Sequence, residues 1–337
     1  MGSEPLVSIC IPTYNRADFL DKAIRSALQQ TYRNIEIIVI DNASTDNTDE
    51  ILSRFNDLRL KYIKNTENFG LFGNFNRCIE QARGEYIHIL HSDDTIEPTF
   101  TECCMKFIQD HPSVRITTTS ARIVTGDSER DISFSDKDLV IKAPEGLKYL
   151  FCYRNFIVCP SVMVHRDVYR DVGNYSLEYP YSSDLYQWFR ILRGYDIGYV
   201  SRAVLNYRQG AHSESYRLLF TSPTGYLDIL KILVRIMQEI GGDRPRFNDD
   251  LTCFVQKFIK DCLYGGFVRG AVMEGFRPAI FIGIAISAWS LLRPGSWRDT
   301  VSKYSFLFLI IAAGVLMSAG PVRRFISRRI AGDSMRY

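Results

Sequence analysis

The sequence predicts an α/β fold whose mostly parallel sheet is covered by helices on both faces. Over the first 95 residues, short apolar runs alternate with segments of helical periodicity, which is typical of βαβ units. The apolar runs are continuous rather than alternating, as in strands buried on both sides of a parallel sheet. Three of these runs end in polar clusters, which indicates a ligand crevice at the carboxyl ends of the strands.

The elements predicted for this region follow one another without long loops. Continuous apolar runs predict strands, and a 3.6-residue spacing of apolar side chains predicts helices. The predicted strands cover residues 6–11, 35–40, 60–63 and 86–90, and the predicted helices cover residues 17–30, 49–55 and 71–82.

The pattern of predicted elements changes twice in the rest of the chain. We expect helices at residues 98–109 and 184–192, strands at 115–124, 161–164, 197–200 and 204–207, and a surface loop at 126–138. After about residue 215 the pattern becomes helical, at residues 218–240 and 251–268. The chain is long for one domain, so we predict one domain over residues 1–215 and a helical region over residues 216–337.

The net charge of +3 over 337 residues is distributed unevenly. Residues 293–337 contain eight Lys or Arg and two Asp, a net charge of +6, so the remainder is mildly acidic. A basic end on an acidic body fits an anionic membrane surface better than DNA, and we predict no nucleic-acid partner. The eight cysteines form no CxxC pair, as expected of buried thiols in a reducing compartment. Because no signal sequence precedes the first strand, we expect a cytoplasmic body.

Two apolar stretches near the end of the chain, residues 279–292 and 305–318, are each 14 residues long. A membrane-spanning helix needs about 20 apolar residues, and a hairpin would place the basic loop between them outside, against the positive-inside tendency. We expect a peripheral or monotopic association with the inner face of the cell membrane, through helices in the interface. The arginines expected on lipid headgroups are Arg323, Arg324, Arg328 and Arg329. A buried hairpin in a soluble helical domain is the alternative, and spanning by residues 279–318 stays open.

Polar clusters follow three of the predicted strands. They are Pro12-Thr-Tyr-Asn15, Asp41-Asn-Ala-Ser-Thr-Asp46 and His91-Ser-Asp-Asp94. In an open α/β sheet, ligands bind outside the carboxyl ends of the strands. We therefore expect the three clusters to meet in one crevice, which is stronger evidence for a site than any one cluster.

Asp93 and Asp94 are adjacent carboxylates at the end of a predicted buried strand. Their repulsion drives their pKa values apart unless a cation joins them. Mg²⁺ or Mn²⁺ takes oxygen ligands and is commonly shared with substrate phosphates, so we expect a divalent cation here. The alternative is that the pair only caps the helix that follows, and the other two clusters favour the ligand site.

Several motifs, in order along the chain, resemble those of glycosyltransferase family two. They are Val7-Ser-Ile-Cys-Ile-Pro-Thr-Tyr-Asn-Arg16, Ser26-Ala-Leu-Gln-Gln-Thr31, Glu36-Ile-Ile-Val-Ile-Asp-Asn-Ala-Ser-Thr-Asp46, Asn68-Phe-Gly70, Gly84-Glu-Tyr86, Ser92-Asp-Asp94, Cys159-Pro-Ser-Val-Met163 and Ser183-Asp184. The resemblance covers about residues 6–210. It implies the GT-A fold for the first domain, a nucleotide-diphosphate sugar as donor, and sugar transfer with inversion.

The resemblance also implies roles for individual residues. The positions that match donor-binding segments of the family are Pro12, Thr13 and Tyr14 at the base, Asp41 or Asn42 as the base-bonding position, Asn68 and Gly70 beside base and ribose, and Asp93 at the ribose. Asp94 matches the metal ligand. Where relatives often have a first Asp, this chain has His91, so the ligand set departs from a fully acidic motif.

Asp184 is the predicted general base. Displacement at the anomeric carbon requires that the acceptor hydroxyl lose its proton as it attacks. Ser182-Ser-Asp184 heads a predicted helix and resembles the family's acidic-acidic helix start, with Ser183 in place of the first acid. Helix capping by Asp184 is the alternative, although one side chain can do both.

Tyr207-Arg-Gln-Gly-Ala-His212 follows the last predicted strand of the first domain. A histidine near this place reaches the metal or the diphosphate in relatives, so His212 is the second predicted metal ligand, with a packing or surface role as the alternative. Arg208 is a candidate partner of the diphosphate.

We predict a glycosyltransferase that moves a sugar from a nucleotide-diphosphate donor to a saccharide or lipid-linked saccharide acceptor in surface-polysaccharide biosynthesis. One rival is a nucleotidyltransferase, which we expect to have a glycine-rich basic loop where Pro12-Thr-Tyr-Asn15 stands. The other is a nucleotide-sugar-binding protein with a degenerate site, and His91 and Ser183 are the residues that favour it.

Overall fold

The computed structural model describes residues 4–152, 156–210 and 224–242. Within these residues the chain forms one sheet of ten strands. The strands are β1 (Val7–Thr13), β2 (Ile35–Asp41), β3 (Leu60–Lys64), β4 (Tyr86–Ile89), β5 (Thr95–Ile96), β6 (Val114–Thr125), β7 (Ser128–Ile132), β8 (Leu139–Ile141), β9 (Met163–His165) and β10 (Asp196–Arg208). The helices are α1 (Ala17–Leu28), α2 (Thr48–Ser53), α3 (Gly70–Gln81), α4 (Phe100–Asp110), α5 (Gly146–Cys152), α6 (Arg166–Val172), α7 (Ser183–Leu192) and α8 (Thr224–Gly242).

The sheet has a parallel half and a mixed half. Its strand order is β3-β2-β1-β4-β9-β6-β10-β5, with β7 beside β6 and β8 beside β10. The first four strands in this order are parallel, and so are β6 and β10. The short β9 is antiparallel to both β4 and β6. The predicted parallel sheet is therefore found mainly in the first half, because β9 enters between the halves in the reverse direction.

β1 is buried along its whole length, and its two faces pack on different helices. Val7, Ile9 and Ile11 belong to the same hydrophobic core as Leu20 of α1. On the opposite face, the Cys10 thiol lies 3.6 Å from the Cys78 carbonyl oxygen in α3. Burial on both faces explains the continuous apolar runs of β1 and β2, and each buried Ile or Leu contributes roughly 1.5–3 kcal/mol. The predicted helices on both faces are confirmed.

The carboxylate of Glu36 joins three segments at the amino edge of the parallel strands. Its Oε1 accepts hydrogen bonds from Ser8 Oγ at 2.5 Å and from the Arg83 backbone nitrogen at 2.7 Å. The Ser8 hydroxyl oxygen also accepts from the Gly84 nitrogen at 2.7 Å. A Cβ atom at Gly84 would lie 2.5 Å from the Ser8 nitrogen, so this close approach requires glycine.

Most elements predicted for the first 95 residues are confirmed within two or three residues of their ends. Two later predictions are wrong in detail. The predicted surface loop at residues 126–138 contains β7, which pairs with β6 in a hairpin. The two strands predicted at 197–200 and 204–207 are one strand, β10, whose pairing with β6 shifts register between Val200 and Val204. An apolar pattern did not predict β7, because its side chains are polar and exposed. It divided β10 into two strands, because the apolar pattern is interrupted at residues 201–203.

The chain divides into two compact units, Met1–Ser213 and Glu214–Tyr337. In the second unit the structure describes α8, in which Ile232, Leu233, Ile236 and Ile240 are buried. The domain bounds 1–215 and 216–337 stay a prediction. The predicted helix at 251–268 and the apolar stretches at 279–318 lie outside the described residues.

Glu36→Gln should lower the free energy of unfolding by about 1–3 kcal/mol at pH 7, because hydrogen bonds to a charged group are lost. Burial raises the pKa of Glu36, but the hydrogen bonds from Ser8 and Arg83 outweigh burial and lower it overall. The stabilisation is thus present above the unfolded pKa of about 4.3 and is lost as the pH falls through the lower folded pKa. Urea unfolding at pH 7 and pH 3 measures the difference.

The exposed Glu80, paired with Arg77 on the surface of α3, provides the control. Glu80→Gln should change stability by less than about 0.5 kcal/mol. An equal deficit of Glu36→Gln at both pH values would mean that packing, and not the charge, is responsible.

Candidate active site at the carboxyl edge of the sheet

Three neighbouring strands end beside one another at the carboxyl edge. Thr13 of β1 is in register with Asp41 of β2, and the Asn42 nitrogen donates to the Thr13 carbonyl oxygen at 2.9 Å. On the other side of β1, the Leu90 nitrogen donates to the Cys10 carbonyl oxygen at 2.9 Å. The polar clusters that follow these strands therefore emerge side by side, as expected from the polar residues at the ends of three predicted strands.

The loop after β1 is braced by the loop after β2. The side-chain oxygen of Asn15 accepts from the Thr45 nitrogen at 2.8 Å, and the Asn15 nitrogen donates to Ser44 Oγ at 2.9 Å. Asp46 Oδ2 accepts from the Ala17 nitrogen at 2.9 Å, so the second loop supplies the cap that α1 lacks in its own sequence. The two loops consequently form one rigid wall.

Asp41, a predicted base contact, is fully buried and bonded to the protein through both oxygens. Its Oδ1 accepts from the Ser44 nitrogen at 2.9 Å, and its Oδ2 accepts from the Tyr62 hydroxyl at 3.0 Å. Lys64 Nζ lies 3.7 Å from the same Oδ2. Burial, followed by the neighbouring carboxylates Asp49 and Asp41, raises the pKa of Tyr62, so the hydroxyl remains a donor.

Asn42 is the hub of the loop that leads into α3. Its amide nitrogen donates to Asn68 Oδ1 at 2.7 Å and to the Gly70 carbonyl oxygen at 3.1 Å. Its amide oxygen accepts from the Phe69 nitrogen at 3.0 Å and from Asn65 Nδ2 at 3.1 Å. Gly70 has φ of +75°, which favours glycine. The predicted donor-binding positions Asn42, Asn68 and Gly70 therefore form one bonded unit.

The remaining predicted base contacts differ in exposure. Pro12 and Thr13 are buried, and the Thr13 hydroxyl has no hydrogen-bond partner among the described residues. The Tyr14 side chain is 45% exposed. Tyr14 is thus the member of this loop whose ring is available to a ligand.

Asp94 is 1% exposed and lies in a tight turn after β4. Its backbone nitrogen donates to the His91 carbonyl oxygen at 3.1 Å. Its Oδ1 accepts from the backbone nitrogen of Arg208, at the end of β10, at 2.7 Å. Within the described residues its Oδ2 accepts no hydrogen bond, although His91 Nδ1 lies 3.7 Å away.

Two arginines stand beside the acidic pair. Arg16 Nη1 is 3.7 Å from Asp93 Oδ2, and both side chains are 16% exposed. Arg208 Nε donates to the Asp93 carbonyl oxygen at 3.3 Å, and its guanidinium lies 5.2 Å from the centre of the Phe19 ring. Sequence reasoning noted Arg208 but missed Arg16 as a site residue, although Arg16 directly follows Pro12-Thr-Tyr-Asn15.

The chemistry of the turn fits a divalent cation. His91, Asp93 and Asp94 can each offer one ligand atom, and these atoms all lie within 4.8 Å of one another. Burial, and then the neighbouring charge of Asp93, raises the pKa of Asp94 well above its usual range. Burial lowers the pKa of His91, which keeps the imidazole neutral. A cation would compensate the desolvated carboxylate and its unpartnered oxygen.

Asp184 lies in the first turn of α7, where its Oδ1 accepts from the Leu185 nitrogen at 2.9 Å. Burial and then the charges of Asp184 and Asp94 raise the pKa of the Cys159 thiol. The charges of both carboxylates therefore act on the partly buried Cys159, although 90 residues separate Asp94 and Asp184 in sequence.

The segment before α7 fixes that helix to the first half of the fold. Gln187 Nε2 donates to the Gly173 carbonyl oxygen at 2.9 Å, and Arg190 Nη1 donates to that of Val172 at 2.6 Å. Asn76 of α3 exchanges hydrogen bonds with the Tyr175 backbone at 2.9 and 3.0 Å. His212, the other predicted metal ligand, lies outside the described residues.

Residues 8–173 match the family model for glycosyl transferase family 2. A glucosyltransferase of Escherichia coli, named for transfer from UDP-Glc to α-D-GlcNAc-diphosphoundecaprenol, is 34% identical over 193 residues, which cover 56% of this chain and 70% of that protein. The chain belongs to glycosyl transferase family 2. The prediction of a glycosyltransferase is confirmed at the level of the family.

Other family members match over shorter shares of their length. A Bacillus subtilis protein named for teichuronic acid biosynthesis, TuaG, is 32% identical over 167 residues, 49% of this chain and 64% of that protein. A chondroitin synthase of Pasteurella multocida is 37% identical over 122 residues, 35% of this chain and 12% of its own length. The chain thus spans less than two thirds of both relatives.

Solved structures support the fold of this family 2 chain. S. aureus TarS 1-349 in complex with UDP superposes with a TM-score of 0.66 at 18% identity, over 98% of this chain and 92% of that one. The mannosyltransferase PcManGT from Pyrobaculum calidifontis, in complex with GDP-Man and Mn²⁺, gives a TM-score of 0.55 at 16% identity, over 93% and 87%. The predicted GT-A fold is confirmed. No helix in the described ranges is both long enough and apolar enough for a membrane crossing.

Asp94→Asn should stabilise the protein in EDTA by about 1–3 kcal/mol, because it removes the cost of a buried, half-bonded carboxylate. The amide oxygen can still accept from the Arg208 nitrogen. In the presence of Mn²⁺ and UDP the wild type should be the more stable of the two proteins, because only the wild type has a carboxylate at position 94 to bind the cation. Thermal unfolding under both conditions measures the two differences.

Asp127→Asn, at an exposed position in the β6–β7 turn, is the control and should leave both melting temperatures unchanged. Destabilisation of Asp94→Asn in EDTA would contradict the idea that the carboxylate is maintained for a cation at the expense of stability.

Proposed function

We propose that this chain transfers a sugar, with inversion, from a nucleoside diphosphate donor to a saccharide or lipid-linked saccharide acceptor. The observation that supports this most is the presence of two different carboxylates whose charges both act on Cys159. Asp94 is buried in a turn whose side chains could hold a cation, and Asp184 is partly exposed at the start of α7. A metal-dependent inverting transfer uses both, one to hold the cation that serves the leaving group and one to deprotonate the acceptor.

The donor proposal rests on the crevice wall and on the relatives. Tyr14 offers an exposed ring, and the unit of Asn42, Asn68 and Gly70 lies in the adjoining loop. We propose that these residues and Thr13 hold the base, with Asp41 fixing the loop after β2, and that Asp93 binds the ribose. The TarS complex with UDP and the UDP-Glc named for the E. coli relative favour a uridine diphosphate sugar.

Asp94, with Asp93 and His91 beside it, would hold a Mg²⁺ or Mn²⁺ ion, which supplies positive charge for the leaving diphosphate. Arg16 and Arg208 add two positive charges beside the acidic turn. Arg16 Nη1 lies 3.7 Å from Asp93 Oδ2. The Arg16 guanidinium would bind a diphosphate oxygen when the ribose hydroxyls bind Asp93.

Asp184 would accept the proton of the acceptor hydroxyl. The acceptor oxygen forms a bond to the anomeric carbon while the bond from that carbon to the diphosphate oxygen breaks. The electron pair leaves with the diphosphate, and the proton stays on the Asp184 carboxylate. The hydrogen bond from the Leu185 nitrogen to Asp184 Oδ1 orients the carboxylate that would take the proton.

The acceptor class is proposed from the relatives. The E. coli enzyme is named for a diphosphoundecaprenol-linked acceptor, and the B. subtilis protein for teichuronic acid. A lipid-linked acceptor would bring the chain to the cytoplasmic face of a membrane in surface-polysaccharide assembly. The basic residues after 293 are compatible with such contact.

Asp184→Asn should reduce the rate of UDP release from UDP-glucose or UDP-N-acetylglucosamine by roughly 10²–10⁴-fold, because the amide cannot accept a proton. The assay contains Mn²⁺ and an N-acetylglucosamine linked to a lipid diphosphate as acceptor. UDP affinity measured by calorimetry should not change, since the amide oxygen can still accept from Leu185.

Asp127→Asn is again the matched control. Undiminished turnover in Asp184→Asn would remove the base assignment. Tight UDP binding without turnover of any donor by the wild type would instead support the rival, a nucleotide-sugar-binding protein.

Arg16→Ala should weaken UDP binding in Mn²⁺ by roughly 10- to 100-fold, the value of a hydrogen bond to a charged group. Binding of uridine should stay within a factor of about two, because uridine has no diphosphate. Arg54→Ala removes an exposed arginine that pairs with Glu50 in α2 and should leave both affinities unchanged. Equal losses for UDP and uridine would mean that Arg16 only shapes the pocket.

A further inference from the structure

His91 is the residue of the acidic turn whose ring nitrogens make no hydrogen bond within the described residues. Its Nε2 is buried without a partner, and its Nδ1 faces Asp94 Oδ2 at 3.7 Å. The ring lies 5.5 Å from that of Phe75, and the side chain is 26% exposed. The position of the His91 ring is thus defined by packing and not by side-chain hydrogen bonds.

Two other histidines show what a structural role looks like in this fold. His88 Nε2 is 2.8 Å from the Pro160 carbonyl oxygen, and its ring stacks on Phe100. His165 Nδ1 accepts from the Asp167 nitrogen at 3.2 Å and caps α6. Each has one nitrogen engaged by the backbone. His91 lacks such a bond, and its Nδ1 faces Asp94 Oδ2, a buried oxygen that accepts no hydrogen bond within the described residues.

The separation of the two unsatisfied groups suits a shared metal ion. Two ligand atoms that each stand about 2.0–2.2 Å from an ion are about 3–4 Å apart for angles near 90–130°. The distance from His91 Nδ1 to Asp94 Oδ2 is 3.7 Å, and the Asp93 carboxylate lies within 4.8 Å of both residues' ligand atoms. A cation would therefore satisfy the Asp94 oxygen that accepts no hydrogen bond.

The donor set also determines which ion is preferred. Mg²⁺ strongly favours oxygen ligands, whereas Mn²⁺, Co²⁺ and Zn²⁺ also take a neutral imidazole. A histidine binds a metal ion in its neutral form. An aspartate in this place would give an all-oxygen set that suits Mg²⁺ as well as Mn²⁺.

We propose that His91 Nδ1 and Asp94 Oδ2 coordinate the same divalent ion, and that His91 makes this site select a first-row transition-metal ion over Mg²⁺. The proposal rests on the proposed function in that the ion serves the donor diphosphate. It adds that His91 is a ligand of the ion and that the site prefers a transition-metal ion to Mg²⁺.

The experiment uses the full chain with Mn²⁺ and UDP. Electron spin echo spectroscopy of the bound Mn²⁺ should show modulation from a directly bonded ¹⁴N nucleus. This modulation should be lost in His91→Asp and His91→Gln and kept in His111→Gln, whose histidine is exposed at the end of α4. Competition between Mg²⁺ and Mn²⁺ should show at least a tenfold decrease in Mn²⁺ preference for His91→Asp.

Several outcomes would overturn the proposal. They are absent ¹⁴N modulation in the wild type, modulation that persists in both folded His91 variants, and an unchanged metal preference in His91→Asp. Loss of modulation in His212→Gln, with retention in the His91 variants, would assign the ligand to His212 instead. Thermal unfolding of each variant establishes that it is folded. His91→Gln should disturb the packing against Phe75 less than His91→Asp does.

The readout is independent of catalysis. If bound Mn²⁺ shows the ¹⁴N signal but no nucleotide sugar is turned over, the proposed function fails and the metal assignment stands. If sugar is transferred without ¹⁴N modulation, the function stands and the assignment of His91 fails.

Discussion

The hydrogen bond from the Arg208 nitrogen to Asp94 Oδ1, 2.7 Å long and partly buried, is the contact on which the arrangement of the site depends. It joins the turn after β4 to the end of β10, two segments that 114 residues separate. A carboxylate at 1% exposure is expensive to bury, and one backbone donor satisfies only half of it. The second oxygen remains without a hydrogen bond from any described residue. The fold thus keeps a buried carboxylate with one unbonded oxygen at a place where a cation could bind it.

Three side chains in the loops beside the acidic turn follow the opposite principle, because they are already hydrogen-bonded within the protein. Asn42 uses both ends of its amide to hold the loop at residues 65–70. Asp41 is bonded through both oxygens, and Asp46 caps α1 from the neighbouring loop. These contacts fix the backbone before a ligand arrives, which reduces the ordering cost of binding. Asn42 therefore fixes the geometry of this loop, in addition to the base contact proposed for it.

The two ends of the parallel strands have different roles, because the amino edge contributes to stability and the carboxyl edge carries the candidate binding site. At the amino edge, Glu36 accepts hydrogen bonds from Ser8 and Arg83 and is fully satisfied. At the carboxyl edge, Asp94 is left half-bonded and Tyr14 is exposed. A parallel sheet imposes this division, because all its strands present the same end to the ligand side. Two buried carboxylates on the same sheet thus have opposite pKa shifts, lowered at Glu36 and raised at Asp94.

The sequence by itself determined the alternating elements of the first 95 residues, the polar ends of three strands and the acidic turn, because burial and periodicity are local properties of the chain. It could not determine that β9 enters the sheet in reverse. It also could not show that Arg16 lies beside Asp93 or that the charges of Asp184 and Asp94 both act on Cys159. Those facts depend on which distant segments pair, and pairing is selected by the free energy of the whole sheet rather than by any local pattern. Most residues of the candidate site could therefore be predicted from the sequence. Their partners were decided by the tertiary structure, and so was the Asp94 oxygen that accepts no hydrogen bond from a described residue.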